Sequence, residues 1–338
     1  MAMEDLIGKT LGQYEIKEKI GEGGMAHVFK AFQPSLNRFV AVKILSPAVA
    51  EKAGFTERFQ REAYSVARLH HPNILQVYDF GLQDNYNYIV MRYVENSKTL
   101  GHLITEGASL DRLINYIMQV ADALNYAHEQ GIVHRDVKPS NILIDGKWAL
   151  LSDFGVVKMT ETATHLTNTG FSLGTPAYMS PEQAEGINVD YRTDIYALGI
   201  ILYRILTGTI PHDAPTPIGI LVRRRTEPVP PPRQIKPNIS QSFEHVTLRA
   251  LATKPDDRYG NAMDFAEALK NAQSDPNYQE NFNGSGRPGE EVTLIRGSRL
   301  SSIKGAASGK NWGLIAGGGS DSCYLRRSCD LMVISERR

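Results

Sequence analysis

The 338-residue sequence predicts an α+β protein with two unequal lobes, a small β-rich one carrying a single helix and a larger, mainly helical one. Three observations predict it. Residues 11–95 are dominated by alternating or β-branched apolar runs. After residue 100 the apolar period changes from two to three or four. From residue 271 the composition shifts to glycine, serine and asparagine, as in a linker.

The elements follow in order. Residues 14–20 alternate and then meet a glycine cluster, and residues 28–32, 38–45 and 86–93 are further β-rich runs. Residues 56–69 are helical, with Phe59, Ala63, Val66 and Ala67 on one face and Thr56 as N-cap. Residues 110–128 bring Leu113, Ile117, Val120, Ala121 and Leu124 to one face, with Ser109 to cap the start and Gly131 just past the end. Residues 148–151 form a short apolar strand. Residues 194–206 are apolar nearly all round, which marks a buried central helix. Residues 243–252 and 262–270 are two more helices, and the prolines at 228–232 form a surface connection.

Composition bounds the function. There are 37 basic and 37 acidic side chains, a formal net charge of zero. That balance speaks against a chain-wide electrostatic interaction with nucleic acid or an anionic membrane. Both cysteines, Cys323 and Cys329, lie near the C-terminus, so a disulfide framework is excluded for residues 1–270 and a reducing compartment is favoured. Glu4 and Asp5 stand where a secretory signal would be basic, and no apolar run approaches the ~20 residues of a membrane helix. No histidine has zinc-site spacing.

The polar motifs carry the chemistry. Gly21, Glu22, Gly23, Gly24, Met25, Ala26, His27 and Val28 join two strands. Glycines there let main-chain N–H groups approach phosphate oxygens, although a plain hairpin turn fits the segment equally well. Lys43 ends the apolar run from Val40, where a solvated edge lysine is the simplest reading. Glu62 borders the apolar face of the 56–69 helix and gains meaning only if a buried cation needs it, for which Lys43 is the candidate. His134-Arg135-Asp136-Val137-Lys138-Pro139-Ser140-Asn141 packs six polar or ionisable residues into eight positions. Asp153-Phe154-Gly155 and Ser180-Pro181-Glu182 follow. Arg223, Arg224 and Arg225 read best as a solvated helix face, with a partner patch as the alternative. His70 and His71 look structural.

The ordered set of glycine-rich loop, strand lysine, helix glutamate, H-R-D-x-K-P-x-N, D-F-G and S-P-E resembles the Hanks-type, eukaryotic-like protein kinases, above all the bacterial serine/threonine kinases. The resemblance covers residues 14–270. It implies a bilobal kinase fold with an N-lobe at 14–91, a hinge at 92–94 and a C-lobe at 95–270, preceded by a 13-residue extension.

It also implies roles. Lys43 would hold ATP phosphates and be held by Glu62. Asp136 would accept the proton of a serine or threonine hydroxyl, with Lys138 and Thr175 beside it. Asn141 and Asp153 would ligate Mg²⁺, with Mn²⁺ able to substitute. The adenine pocket would be walled by Ile20, Val28, Ala41 and Leu143, with Met91 as gatekeeper and the main chain of Arg92 and Val94 as hydrogen-bonding partners. Arg92 departs from the glutamate usual there. Arg135 would pair with a phosphorylated loop carrying Thr167 and Thr169, modified by the enzyme itself. Asp194 would brace the catalytic loop, and Glu182 would pair with Arg258. The competing class is a pseudokinase, against which the presence of Lys43, Asp136, Asn141 and Asp153 argues. A small-molecule kinase on a related fold is disfavoured by Ser180-Pro181-Glu182 and Gly174-Thr175.

Partners implied are ATP, protein substrates and a second copy of the chain, but no nucleic acid. As written the protein is expected in the cytoplasm. Residues 310–317 resemble the start of the membrane helix into which many such kinases continue, lost here by truncation or frameshift, so a full-length parent chain would sit at the cytoplasmic face of a membrane. An ordinary soluble tail is the alternative.

Overall fold

A computed structural model describes residues 6–23, 26–46, 55–154 and 176–278, with the side chains of residues 55 and 58 excepted. Gly24, Met25, Thr167, Thr169, Thr175 and the tail segment at 310–317 lie outside the described residues.

The N-terminal lobe is built on a six-stranded antiparallel sheet. Its strands are β1 (Thr10–Leu11), β2 (Tyr14–Gly23), β3 (Ala26–Gln33), β4 (Arg38–Leu45), β5 (Val77–Gln83) and β6 (Tyr86–Arg92), in the order β1-β2-β3-β4-β6-β5. The period-2 pattern divides it into two faces. One gathers Tyr14, Ile16, Phe29, Val40, Val42 and Val90 into an apolar layer. The other gathers Ala26, Ala41, Leu45, Ile89 and Met91 with Phe59 of helix α1 (Phe55–Ala67). Because α1 already includes Phe55, Thr56 lies inside the helix and is not its N-cap. Sequence periodicity alone passed over β5, an edge strand interrupted by Asp79 and Gly81.

The C-terminal lobe holds β7 (Lys98–Thr99), α2 (Leu100–Thr105), α3 (Leu110–Glu129), β8 (Ile142–Asp145), β9 (Trp148–Leu151), α4 (Pro181–Glu185), α5 (Arg192–Thr207), α6 (Pro217–Thr226), α7 (Pro232–Ile235), α8 (Gln241–Ala250) and α9 (Ala262–Ser274). α9 thus continues past residue 270. α3 and α5 form the centre of one large apolar cluster, packed by α8, α9 and the β8–β9 hairpin. α5 is buried from Thr193 to Tyr203 without a break, as its all-round apolarity requires. Gly199 on α5 has a packing reason: an added Cβ would sit 2.9 Å from the Cβ of Ala250 on α8. Ser109 occupies the N-cap of α3 without a side-chain cap bond. Among the described residues no helix is long and apolar enough to cross a membrane.

A buried ion pair ties α4 to the lobe. Arg258 donates to both carboxylate oxygens of Glu182 at 2.7 Å, and also to the carbonyls of Ala252, Thr253 and Arg192. Its side chain is wholly buried. Burial works to raise the pKa of Glu182, but the hydrogen bonds and charge of Arg258 outweigh it and hold the carboxyl below its usual range. Because the folded value is depressed, this stabilisation is complete above the unfolded carboxyl value, about 4.3. It is lost as pH falls through the folded one. Arg258→Met is therefore expected to lower stability by about 3–5 kcal/mol near neutral pH, since it strands a buried carboxylate. Thermal and denaturant melts check this, and the gap from wild type should narrow on acidification as the carboxyl takes a proton.

Candidate active site

The polar motif at 134–141 becomes a compact cluster. After α3 the chain turns at Gly131, reaches an extended Lys138 and makes a 3-10 turn at Pro139–Asn141 before entering β8. Lys138 Nζ lies 2.9 Å from Asp136 Oδ2. Asn141 donates its Nδ2 to the carbonyl and to Oδ2 of Asp136, at 2.9 and 3.1 Å. The amide oxygen of Asn141 is therefore the group left for a cation.

The β9 strand delivers the second half. Ser152 donates its N–H and hydroxyl to the carbonyl of Asn141, at 2.8 and 3.0 Å, which locks β9 to the 3-10 turn. One residue on, Asp153 Oδ1 pairs with Lys43 Nζ of β4 at 2.6 Å. Glu62 stands on α1 with its Oε2 buried. The Lys43–Asp153 pair joins the two lobes.

His134 sits between the halves, fully buried. Its Nε2 donates to the carbonyl of Ser152 at 2.9 Å, and its Nδ1 accepts the N–H of Asp136 at 3.2 Å. One nitrogen donating and one accepting describes a neutral imidazole. Burial lowers its pKa against the opposing pull of Asp194 and its other partners, in accord with that tautomer. The ring stacks at a tilt on Phe154, centroids 4.6 Å apart.

Asp194, in the first turn of α5, braces the loop from below. Its Oδ1 accepts the N–H of Arg135 at 2.8 Å, and its Oδ2 accepts the N–H of His134 at 2.9 Å and His128 Nε2 at 2.8 Å. Arg135 and Asp153 both have left-handed backbones, φ 62° and 61°. Non-glycine residues rarely adopt this conformation, and such strain persists only where surroundings fix it.

The proposed adenine walls divide. Val28, Ala41, Met91, Val94 and Leu143 belong to one cluster between the lobes. Ile20 is exposed and stands outside it. The N–H of Arg92 donates to the carbonyl of Gln76, so only its carbonyl is left to meet a ligand. Its side chain pairs with Asp145 at 2.6 Å. Gly21 and Gly23 have no positive φ, and a Cβ at either would make only ordinary contacts, 3.5 Å to Val28 and 3.6 Å to Ala26. Among the described residues no contact within the protein demands glycine at either position.

One residue overturns its sequence reading. Arg224, grouped with its neighbours as a solvated face, is buried. It donates to the carbonyls of Pro176 and Ala177, each at 2.8 Å, and to that of Met179. Arg223 and Arg225 are exposed, as that reading has them. Nothing in three consecutive arginines distinguishes the middle one; only the face that α6 turns inward does.

The protein kinase domain family matches residues 14–272. A probable serine/threonine-protein kinase of Clostridium acetobutylicum is 43% identical over 273 residues, covering 80% of this chain and 41% of the relative. PrkC of Bacillus subtilis is 42% identical over 271 residues, covering 79% and 42%. The crystal structure of the Mycobacterium tuberculosis PknI kinase domain superposes with a TM-score of 0.65 at 32% identity, covering 80% of this chain and 99% of that domain. The chain spans roughly two fifths to one half of the length of its curated relatives, 39% to 51%. On the motifs, the fold and these matches together, the chain belongs to the protein kinase family, in its bacterial Hanks-type serine/threonine branch.

Proposed function

We propose that this chain transfers the γ-phosphoryl group of ATP to serine and threonine hydroxyls of proteins. The observation that carries the reading is the contact chain Lys138–Asp136–Asn141–Ser152, which leads directly into the Asp153–Lys43 pair. It assembles a carboxylate base, two cations and two hard oxygen donors within one cluster. Phosphoryl transfer needs this combination, since the chemistry is mostly positioning and charge stabilisation.

Asp136 orients the acceptor hydroxyl and takes up its proton. Lys138, held on the Asp136 carboxylate, meets the charge of the transferred group. Lys43 holds the α and β phosphates. Asn141 and Asp153 offer an amide and a carboxylate oxygen, a donor set suited to Mg²⁺, with Mn²⁺ able to substitute. When bound, the metal neutralises charge on the phosphate oxygens. The apolar cluster of Val28, Ala41, Met91 and Leu143 takes the adenine ring, and the Arg92 carbonyl accepts from its amino group. Serine/threonine preference is supported by Lys138-Pro139 in the catalytic motif and by the names of the relatives.

Regulation belongs to the same reading. Thr167 and Thr169 are self-modified, and Arg135 receives the phosphate. Dimerisation through the N-lobe would let one copy modify another. The need for ATP supports a cytoplasmic location, at the cytoplasmic face of a membrane in a longer parent chain.

Wild-type protein with Mg²⁺ and radiolabelled ATP should label itself and a generic basic protein, and a wild type that does neither would sink the assignment. Asp136→Asn should lose about 10²- to 10⁴-fold in turnover while still binding ATP, because only the proton acceptor is removed. A nucleotide-binding scaffold would instead give no turnover in either form. Thr167→Ala/Thr169→Ala should lose most autophosphorylation; full activity and phosphate content in that variant would remove the regulatory role.

A further inference from the structure

α4 is only five residues long, yet its third residue reaches into the catalytic loop. Ser180 caps this helix in a reciprocal capping box. Its hydroxyl accepts the N–H of Gln183, and Gln183 Oε1 accepts the N–H of Ser180 at 3.0 Å. That fixes the amide orientation, and the other end is a donor. Gln183 Nε2 donates to the carbonyl of Arg135 at 2.9 Å. A capping box accounts for the first contact and not for the second.

The second contact falls at a sensitive place. The peptide unit between Arg135 and Asp136 sets the direction in which the Asp136 side chain leaves the backbone. Its N–H is held by His134 Nδ1 and its carbonyl by Gln183. The preceding unit is held by Asp194 through the N–H of Arg135. Arg135, with φ 62°, is thus clamped on both sides in a conformation that side chains disfavour.

Given the kinase reading above, we propose that Gln183 is a positioning residue for catalysis, whose donor Nε2 holds the Arg135 carbonyl and so aims the Asp136 carboxylate. α4 begins at Ser180-Pro181, directly after the 176–179 segment that Arg224 fixes. Gln183 is then a mechanical link from that segment to the base.

The two functions of the side chain can be separated. Gln183→Glu keeps the acceptor of the capping box and replaces the donor with an oxygen that repels the Arg135 carbonyl. Gln183→Met removes the donor without adding charge, and the capping acceptor with it. In the full chain with Mg-ATP and a generic basic protein, each variant should lose on the order of tenfold in kcat, with KM for ATP changing less than about twofold. Q183E should stay folded, its melting temperature lowered only by the lost Arg135 contact, since glutamate serves a capping box as well as glutamine does. Its activity relative to wild type should recover as the pH is lowered, because the protonated carboxyl regains an O–H donor. Q183M should show no such recovery. If Q183E does not fold, Q183M carries the kcat comparison alone. Wild-type turnover in a folded variant lacking the donor, or equal pH profiles for Q183E and Q183M, would overturn the proposal. A wild type with no transfer at all would instead bring down the kinase reading on which it rests.

Discussion

A carboxylate placed under the most apolar helix of a protein must find donors there, because a buried charge without partners is too costly to keep. Asp194 finds two backbone N–H groups of the catalytic loop and the imidazole of His128. The dependence runs both ways. The acid is tolerable only while the loop supplies donors, and the loop keeps its left-handed Arg135 only while the acid accepts them. α5, the best-buried element of the larger lobe, thereby becomes the reference frame for Asp136. The burial of Ile195, Leu198, Ile200, Ile201 and Leu202 is what makes that frame rigid.

The frame extends upward through hydrogen bonds that each use a group left over from the last. His134 hangs from Asp194 by its N–H and spends its ring on Asp136 and Ser152. Ser152 in turn holds Asn141, and the residue after it carries the pair to Lys43. β9 is fixed independently, since the N–H of Leu151 donates to the carbonyl of Asn73 and the carbonyl of Leu151 accepts the N–H of Leu75. Asn73 is itself held by Gln119 of α3. His71 helps hold it, its Nδ1 accepting the Asn73 N–H, in keeping with a structural reading of this segment.

How much of this was legible in the sequence depends on whether the information is local. The H-R-D-x-K-P-x-N and D-F-G segments are contiguous, and their spacing declares a site before any fold is known. β4 and the core helices were legible because burial imposes a period on them. β5 was not, because an edge strand paired on one side need not be continuously apolar. Ile20 is placed among the pocket walls by the resemblance alone; in the fold it is exposed, at the register shift between Lys19 and Gly21. The Lys43–Asp153 pair spans 110 positions and no local pattern announces it; the resemblance implies Glu62 as the partner of Lys43 and Asp153 as a metal ligand. Gln183 and Arg224 gave no signal, because each acts on backbone carbonyls, which every sequence possesses.

The cations divide by the same logic. Lys43 and Lys138 keep about a fifth of their side-chain surface open and each holds one carboxylate. A lysine is a compact charge on a flexible stem, able to exchange one anionic partner for another as phosphate arrives. Arg258 and Arg224 are buried, and each satisfies three backbone carbonyls, Arg258 with Glu182 in addition. A planar fork of five donors can do that without moving, and a lysine cannot. The formal charge of zero conceals this division. In the proposed reaction the positive charge that meets the nucleotide and the transferred group is carried by Lys43 and Lys138. Positive charge that must never move is carried by arginine, beneath the segments on which the catalytic loop rests.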